Sequence, residues 1–269
     1  MSPNCILERV ASTKSTNDDL LARWRAGELI DPVARIAHDQ TSGKGRAGRV
    51  WLSNPGDTLC FSLAYPFDKR PHELSGLSLV IGLAVIAGIA GIAGAMQINE
   101  TTLHQQGLRL KWPNDLLLNN AKLGGILIEG GQSNPSSPTW MVIGLGLNLR
   151  NAEVISQNLE NQTPFTAAAL DQLLPHHTLI PDTDFIWLKL IESFESHLTQ
   201  FKEHGFSHFK DSWLHWDAFN GQSICISGAG KEPVTGVSSG VDDSGALILH
   251  QHDKSIVIHA GDVSLRVPS

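Results

Sequence analysis

With three cysteines in 269 residues, Cys5, Cys60 and Cys225, the chain has too few thiols, too scattered, for a disulfide framework or a metal cluster. They read as small core residues of a protein kept in a reducing compartment. Positive charge is also scarce. Lys plus Arg number 20 against 27 Asp plus Glu, a formal charge of −7, which argues against a broad nucleic-acid-binding surface. The first residues, MSPNCILERV, hold an acid and a base and no apolar run, so no secretory signal is expected. One uncharged run does occur, from Leu74 to Asn99, and it is long enough to span a membrane. It is rich in Gly and Ala, lacks interfacial aromatics, and is bordered by Glu73 and Glu100 rather than Lys or Arg. The expectation is a helix buried against a sheet, with a membrane protein as the alternative.

Against this acidic background stands one basic loop, Gln40 to Trp51, with the sequence QTSGKGRAGRVW. Gly43, Gly45 and Gly48 spell GxGxxG, but that dinucleotide fingerprint requires a following helix whose N-terminus faces a pyrophosphate. VWLSNPGDTLCFSLAY follows instead, and reads as a turn and a strand. A Walker loop fails too, because no Gly-Lys pair precedes Ser or Thr at the required spacing. Lys44, Arg46 and Arg49 crowd the loop, so the choice lies between a solvated basic turn and a site for a small anionic ligand.

The loop is flanked by sheet. Ile6 to Val10 and VARIAHD read as strands before it, and TLCFSLAY as a strand after it. Between the first two, Thr16 or Asn17 is the expected N-cap of a helix that carries Asp18 and Asp19 in its first turn and stops at Gly27. LRLKWPNDLLL and KLGGILIE are separated by Asn119 and Asn120, a pair suited to a tight hairpin, and TWMVIGLGLNL is a further apolar strand. Phe165 to Leu174 and Asp184 to Trp216 show helical spacing, the second through Ile186, Leu190, Phe194, Leu198 and Phe201. From about Gly221, short alternating strands with Gly-rich and Asp-rich turns suggest a small β-barrel. The length accommodates two domains, 1–219 and 220–269.

Polar and basic groups recur where these elements end: Ser15, Thr16 and Asn17, then Gln40 and the loop, then Lys111, Asn114 and Asp115, then Lys122, then Asn148. Sites are commonly built at such places. Each residue also has an ordinary explanation. Thr16 or Asn17 can simply cap a helix, Asn114 can start a turn after Pro113, and Lys122 can be a solvated hairpin lysine.

Taken together, GKGRAGRVW, KWPNDLLLNNAKLGGILIE and GLGLNL, in that order, resemble the catalytic domain of bacterial biotin protein ligases, also called biotin–acetyl-CoA-carboxylase ligases. STN at Ser15 to Asn17 and Gln40 agree. The resemblance runs from Ser12 to Asn148 by motif, KWPND followed by KLxGIL being its most specific part, and the β-rich tail matches by position and texture. It implies an α+β fold: a mixed-sheet catalytic domain of the biotin/lipoate ligase type with a small C-terminal SH3-like β-barrel. It further implies a cytoplasmic enzyme that uses ATP, with Mg²⁺, to form biotinyl-5′-AMP and passes the biotinyl group to one lysine of a biotin carboxyl carrier protein. Some members add an N-terminal helix-turn-helix domain. With STN starting at Ser15, the short type without a nucleic-acid partner is expected here. The oligomeric state, a homodimer included, stays open.

On this resemblance, Ser15, Thr16, Asn17 and Gln40 would meet the ureido ring of biotin, which offers one carbonyl acceptor and two N–H donors. Gly43, Lys44, Gly45, Arg46 and Lys122 would complete the biotin site, with Trp51, Gly125 and Leu127 along the thiophane ring and valeryl arm. Arg46, Arg49, Lys111, Trp112, Asn114, Asp115 and Asn148 would meet ATP or the adenylate, with Trp112 also a candidate for the apolar wall. Asp115 would organise Mg²⁺, and Asn148 would contact the adenine nucleotide. Arg46 and Lys122 would act catalytically, by neutralising the carboxylate and phosphates as pyrophosphate leaves. Many relatives carry arginine at the positions of Lys44 and Ala47. Lysine keeps the charge but loses the planar fork, and alanine supplies none. A lipoate–protein ligase, which shares the fold, and a protein that holds biotinyl-AMP without transferring it are the competing readings.

Overall fold

A computed structural model describes residues 4–94, 97–159, 166–175, 179–228, 231–251, 254–259 and 263–266. In chain order they form β1 (Ile6–Thr13), α1 (Thr16–Arg25), β2 (Val33–Gln40), β3 (Gly43–Lys44), β4 (Val50–Trp51), β5 (Thr58–Phe67), α2 (Leu77–Gly94), α3 (Glu100–Gln105), β6 (Leu108–Lys111), β7 (Asp115–Leu118), β8 (Ala121–Gly131), β9 (Thr139–Asn148), α4 (Ala152–Leu159), α5 (Thr183–His204) and α6 (Lys210–Trp216). The tail adds β10 (Ser223–Gly228), β11 (Lys231–Val241), β12 (Leu247–Gln251), β13 (Lys254–Ile258) and β14 (Val263–Arg266).

Seven strands make a mixed sheet in the order β1-β2-β5-β9-β8-β7-β6, in which only β1 and β2 run parallel. Strand alternation gives this sheet two unlike faces. Phe61, Leu63, Ile143 and Leu145 pack with Trp187 and Phe194 of α5 and the apolar residues of α2 in the main core. Phe61 sits 5.5 Å from Phe194 and 6.5 Å from Trp187, ring centre to ring centre. On the other face, α1 covers Ala64, Trp140 and Val142 with Leu20 and Leu21. The same face, past the N-terminus of α1, is left open as a cavity.

The uncharged run forms α2. The segment Pro71–Gly94 is apolar enough to cross a membrane, with mean hydropathy 2.4, but 72 % of its most apolar stretch is buried within the protein. Its lack of a polar side follows from cover on two sides, by α5 and by the sheet. Gly88 permits the closeness, since a Cβ there would lie 2.8 Å from Leu190 Cδ2 and 3.3 Å from its Cα.

Three local expectations change. Ser15, not Thr16 or Asn17, is the N-cap of α1: it is extended (φ −158°) and its hydroxyl accepts from Asp18 N. Thr16 and Asn17 are thereby released to face the cavity. The helical spacing of Asp184 to Trp216 is interrupted at Gly205, φ 68°, which ends α5 before α6 begins. In the Phe165 to Leu174 stretch, Phe165 lies outside the described residues, and only Leu170–Leu173 makes a single 3₁₀ turn. Residues 166–169 are instead drawn out beside the β7–β8 hairpin, where Lys122 N donates to Thr166 O and Ala168 N donates to Lys122 O. The hairpin turn at Asn119 and Asn120 forms as expected, both residues at positive φ (49° and 65°).

The tail forms a second, five-stranded antiparallel sheet in the order β13-β12-β11-β10-β14. It is tied to the rest by the Trp112 indole, which donates to Gly245 O at 3.1 Å, and by an exposed Lys210–Asp243 ion pair.

Candidate active site

The cavity, of about 320 Å³, has a floor of small residues on three neighbouring strands. Cys60 and Ser62 of β5 pair with Gly146 and Gly144 of β9, which in turn pair with Gly125 and Leu127 of β8. No residue with a Cβ fits at two of these positions without movement. A Cβ at Gly144 would lie 2.3 Å from Asn17 Oδ1, and one at Gly146 would lie 2.3 Å from the Trp51 indole. Burial pushes the Cys60 thiol up to about 11, so it lines the cavity as an unreactive neutral group.

At one end the groups are polar but uncharged. Gln40 Oε1 accepts from Thr16 N (3.0 Å), and Ser62 Oγ stands 2.7 Å from Thr16 Oγ1 and 2.6 Å from Asn17 Oδ1. Asn17 Nδ2 donates to Glu129 Oε2 (3.1 Å) and, more weakly, to Leu127 O (3.4 Å). The side chains of Thr16, Asn17 and Ser62 are all buried.

At the other end lie cations. Lys122 Nζ bonds Asp115 Oδ1 at 2.7 Å and sits 5.7 Å from the centre of the Trp51 ring. Burial favours the neutral acid at Asp115, yet Lys122, Lys111 and Arg49 outweigh it and hold this carboxyl below the usual range. The basic loop closes over this end as a short hairpin, with Gly43 opposite Trp51 and Lys44 opposite Val50. Its tip, Arg46 to Gly48, turns through two left-handed residues, Ala47 (φ 55°) and Gly48 (φ 72°). From there Arg46 reaches Asn114 Oδ1 at 3.1 Å, while Lys44 folds back onto Asp18 at 2.7 Å. Asn148 donates to Lys122 O and Ala168 O, and its buried Oδ1 has no hydrogen-bond partner.

A cavity with a neutral polar end, an apolar middle and a cationic end under a GKGRAGR loop narrows the choice of families. Residues 9–148 match the biotin/lipoate A/B protein ligase family. The chain belongs to that family. Residues 221–266 match the biotin protein ligase C terminal domain. The biotin–[acetyl-CoA-carboxylase] ligase of Mycobacterium tuberculosis is 33 % identical over 258 residues, 96 % of this chain and 88 % of that protein. The bifunctional ligase/repressor BirA of Escherichia coli is 34 % identical over 94 % of this chain and 71 % of its own length. Among solved structures, the Aquifex aeolicus biotin protein ligase in complex with biotin and ATP superposes with a TM-score of 0.75, at 25 % identity, covering 98 % of this chain and 99 % of that one. The mixed sheet followed by a C-terminal antiparallel sheet is thus the biotin protein ligase architecture expected from the motifs.

Of the residues singled out in the sequence, this ligase brings Ser15, Thr16, Asn17, Gln40, Lys44, Gly45, Arg46, Arg49, Trp51, Asn114, Asp115, Lys122, Gly125, Leu127 and Asn148 to the cavity wall. Three stand outside it. Trp112 is buried in the core because the turn from β6 to β7 directs Asn114 and Asp115 to the cavity and the indole toward Gly245. Lys111, also buried, acts on Asp115 by its charge. Gly43 is held in the first strand of the hairpin, opposite Trp51, where a Cβ would meet Trp51 O and Gln40 Nε2. Ser62, Gly144 and Gly146 line the cavity, and Glu129 touches its lining. Their signal was the alternation of β5, β8 and β9, which places them on the face of Gly125 and Asn148.

Proposed function

We propose that this ligase condenses biotin with ATP to biotinyl-5′-AMP and pyrophosphate, then transfers the biotinyl group to one lysine of a biotin carboxyl carrier protein. The observation that carries the reading is the division of the cavity. Buried hydroxyl and amide groups at one end suit a cyclic urea, the Trp51 and glycine-lined middle suits an apolar ring and chain, and Lys122 and Arg46 sit where a carboxylate and an α-phosphate must meet. Supporting a division into domains 1–219 and 220–269 is the change from mixed α/β packing to antiparallel sheet at Ser223.

In the first step a biotin carboxylate oxygen attacks the α-phosphorus, the P–O bond to pyrophosphate breaks, and both anions need neutralising. Lys122 Nζ, 2.7 Å from Asp115, can exchange that carboxylate for the reacting oxygens with little movement. Arg46 contributes a fork of donors from the loop. In the second step the carrier amine attacks the acyl carbon, an amide forms and AMP leaves. No covalent enzyme intermediate is needed, so catalysis is positioning and electrostatics. Asn148 Oδ1 is an acceptor suited to the exocyclic amine of adenine. The resemblance implies Mg²⁺ as well, which would come to the site with the triphosphate. Among the described residues, Asp115, kept ionised, is the one carboxylate on the cavity wall and would hold such an ion, as suits a cation bound chiefly by phosphates and water. The ion would neutralise the triphosphate. The cytoplasm is the compartment that supplies ATP, biotin and carrier together, and three free cysteines agree with it.

Lipoate fits the neutral end poorly. Its dithiolane ring has no N–H or C=O, so seating it would bury the Thr16–Ser62–Asn17 row against sulfur and carbon at a cost of about 1–3 kcal/mol per unsatisfied group. Incubating the protein with ATP and either acid, and weighing the acyl adenylate by mass spectrometry, decides the matter. Lipoyl-AMP without biotinyl-AMP would reject the proposal, and biotinyl-AMP without labelling of any carrier would reduce it to its first step.

A further inference from the structure

Glu129 and Ser62 were assigned no role by any motif, and the direction of each hydrogen bond around them can be worked out. The Glu129 carboxylate and the Leu127 carbonyl only accept, so the Asn17 amide must turn its Nδ2 to them, as it does at 3.1 and 3.4 Å. Asn17 Oδ1 therefore faces Ser62, and the single Ser62 proton is spent on it at 2.6 Å. Ser62 Oγ can then only accept from Thr16 Oγ1, at 2.7 Å, the shorter of that hydroxyl's two contacts. Every side-chain proton in the row Thr16–Ser62–Asn17 is thus committed to an acceptor of the protein itself. What remains for a ligand is lone pairs.

We propose that Glu129 is a positioning residue that sets the donor and acceptor sense of this row, through Asn17 and Ser62, so that the subsite accepts the two N–H groups of a cyclic urea. Glu129 touches no substrate. It sits on β8 on the same face as Gly125 and Leu127, and its charge makes the amide orientation one-sided, because a flipped Asn17 would set Oδ1 against a carboxylate. Without that bias, Asn17 and Ser62 can reverse together and present protons where the ligand also presents protons. The proposal rests on biotin being the substrate.

The test compares wild type, Glu129→Gln, Glu129→Leu and Ser62→Ala, reading biotin Kd by calorimetry without ATP and the separate KM values for biotin and ATP in pyrophosphate release. Glu129→Leu and Ser62→Ala are expected to weaken biotin about tenfold, in Kd and KM alike, with kcat and the KM for ATP within about twofold. Glu129→Gln, which keeps an acceptor oxygen, restores most of the affinity. A biotin Kd unchanged in Glu129→Leu overturns the proposal. So does a parallel rise in both KM values, or Gln behaving like Leu, since either marks a merely structural role. Should Glu129→Leu fail to fold, Ser62→Ala and Glu129→Gln still decide. Wild-type protein that makes no biotinyl-AMP would instead defeat the substrate reading itself.

Discussion

At the neutral end of the cavity Thr16, Asn17, Ser62 and Gln40 already bond one another, whereas at the cationic end Lys122 and Lys44 are held by carboxylates that a ligand must displace or share. The two ends differ in what they have ready. A pre-bonded row with fixed proton directions gives recognition at low ordering cost. A charge pair that can exchange its anion gives stabilisation that grows as negative charge accumulates, which is the condition for lowering a barrier rather than merely binding. Substitutions at the cationic end should thus cut rate, and substitutions at the neutral end should cut affinity for biotin.

The largest effect tests the rate side. Lys122→Ala is expected to lower adenylate formation by about a thousandfold or more while biotin binding by calorimetry and the melting temperature stay near wild type. Wild-type-like turnover would remove Lys122 from the chemistry. Next, Arg46→Ala should cost about a hundredfold in pyrophosphate release and Lys44→Ala less than about tenfold, because Lys44 leans out to Asp18 while Arg46 turns in to Asn114. Equal losses would contradict that ranking. On the affinity side, Gly144→Ala and Gly146→Ala should raise the KM for biotin about tenfold by pressing on Asn17 and Trp51, with a smaller change in kcat. If kcat fell more than affinity, the two ends would not be separable in this way.

The smallest effect lies outside the cavity. Asp217, between α6 and the tail, has a carboxyl raised to about 6 by burial, with one oxygen bonded to Phe219 N and the other buried without a partner. A folded value above the unfolded one of about 4 means that ionisation opposes folding. The Asp217 contribution to stability is then greatest below about pH 4 and declines as pH rises to about 6. Urea midpoints of Asp217→Asn should lose that decline. An unchanged pH profile would place the ionisation elsewhere.

Much of this was legible in the sequence because periodicity and turn chemistry are local. The Asn119–Asn120 hairpin, the strands around the basic loop and the apolar spacing of α5 each follow from residues close in the chain. What stayed hidden depends on which face of a strand meets which neighbour. Ser62 in TLCFSLAY, Glu129 in KLGGILIE and the two glycines of GLGLN are ordinary strand residues until β5, β9 and β8 lie side by side. The extended course of residues 166–169 was hidden for the same reason, since its backbone partners belong to Lys122, more than forty positions earlier. Trp112 shows the converse error. A contiguous motif suggests a contiguous site, but KWPND straddles a turn, and its neighbouring side chains part to opposite sides.

That parting gives the C-terminal sheet a bearing on chemistry it never touches. Every described cavity-lining residue precedes position 168. A chain cut after Phe219 would keep every described residue of the lining, yet lose Gly245 O, the acceptor of a fully buried indole in the turn that aims Asn114 and Asp115. Truncation should therefore leave the biotin end competent and loosen the phosphate end first, so that the tail serves as a brace for the turn as much as a separate module.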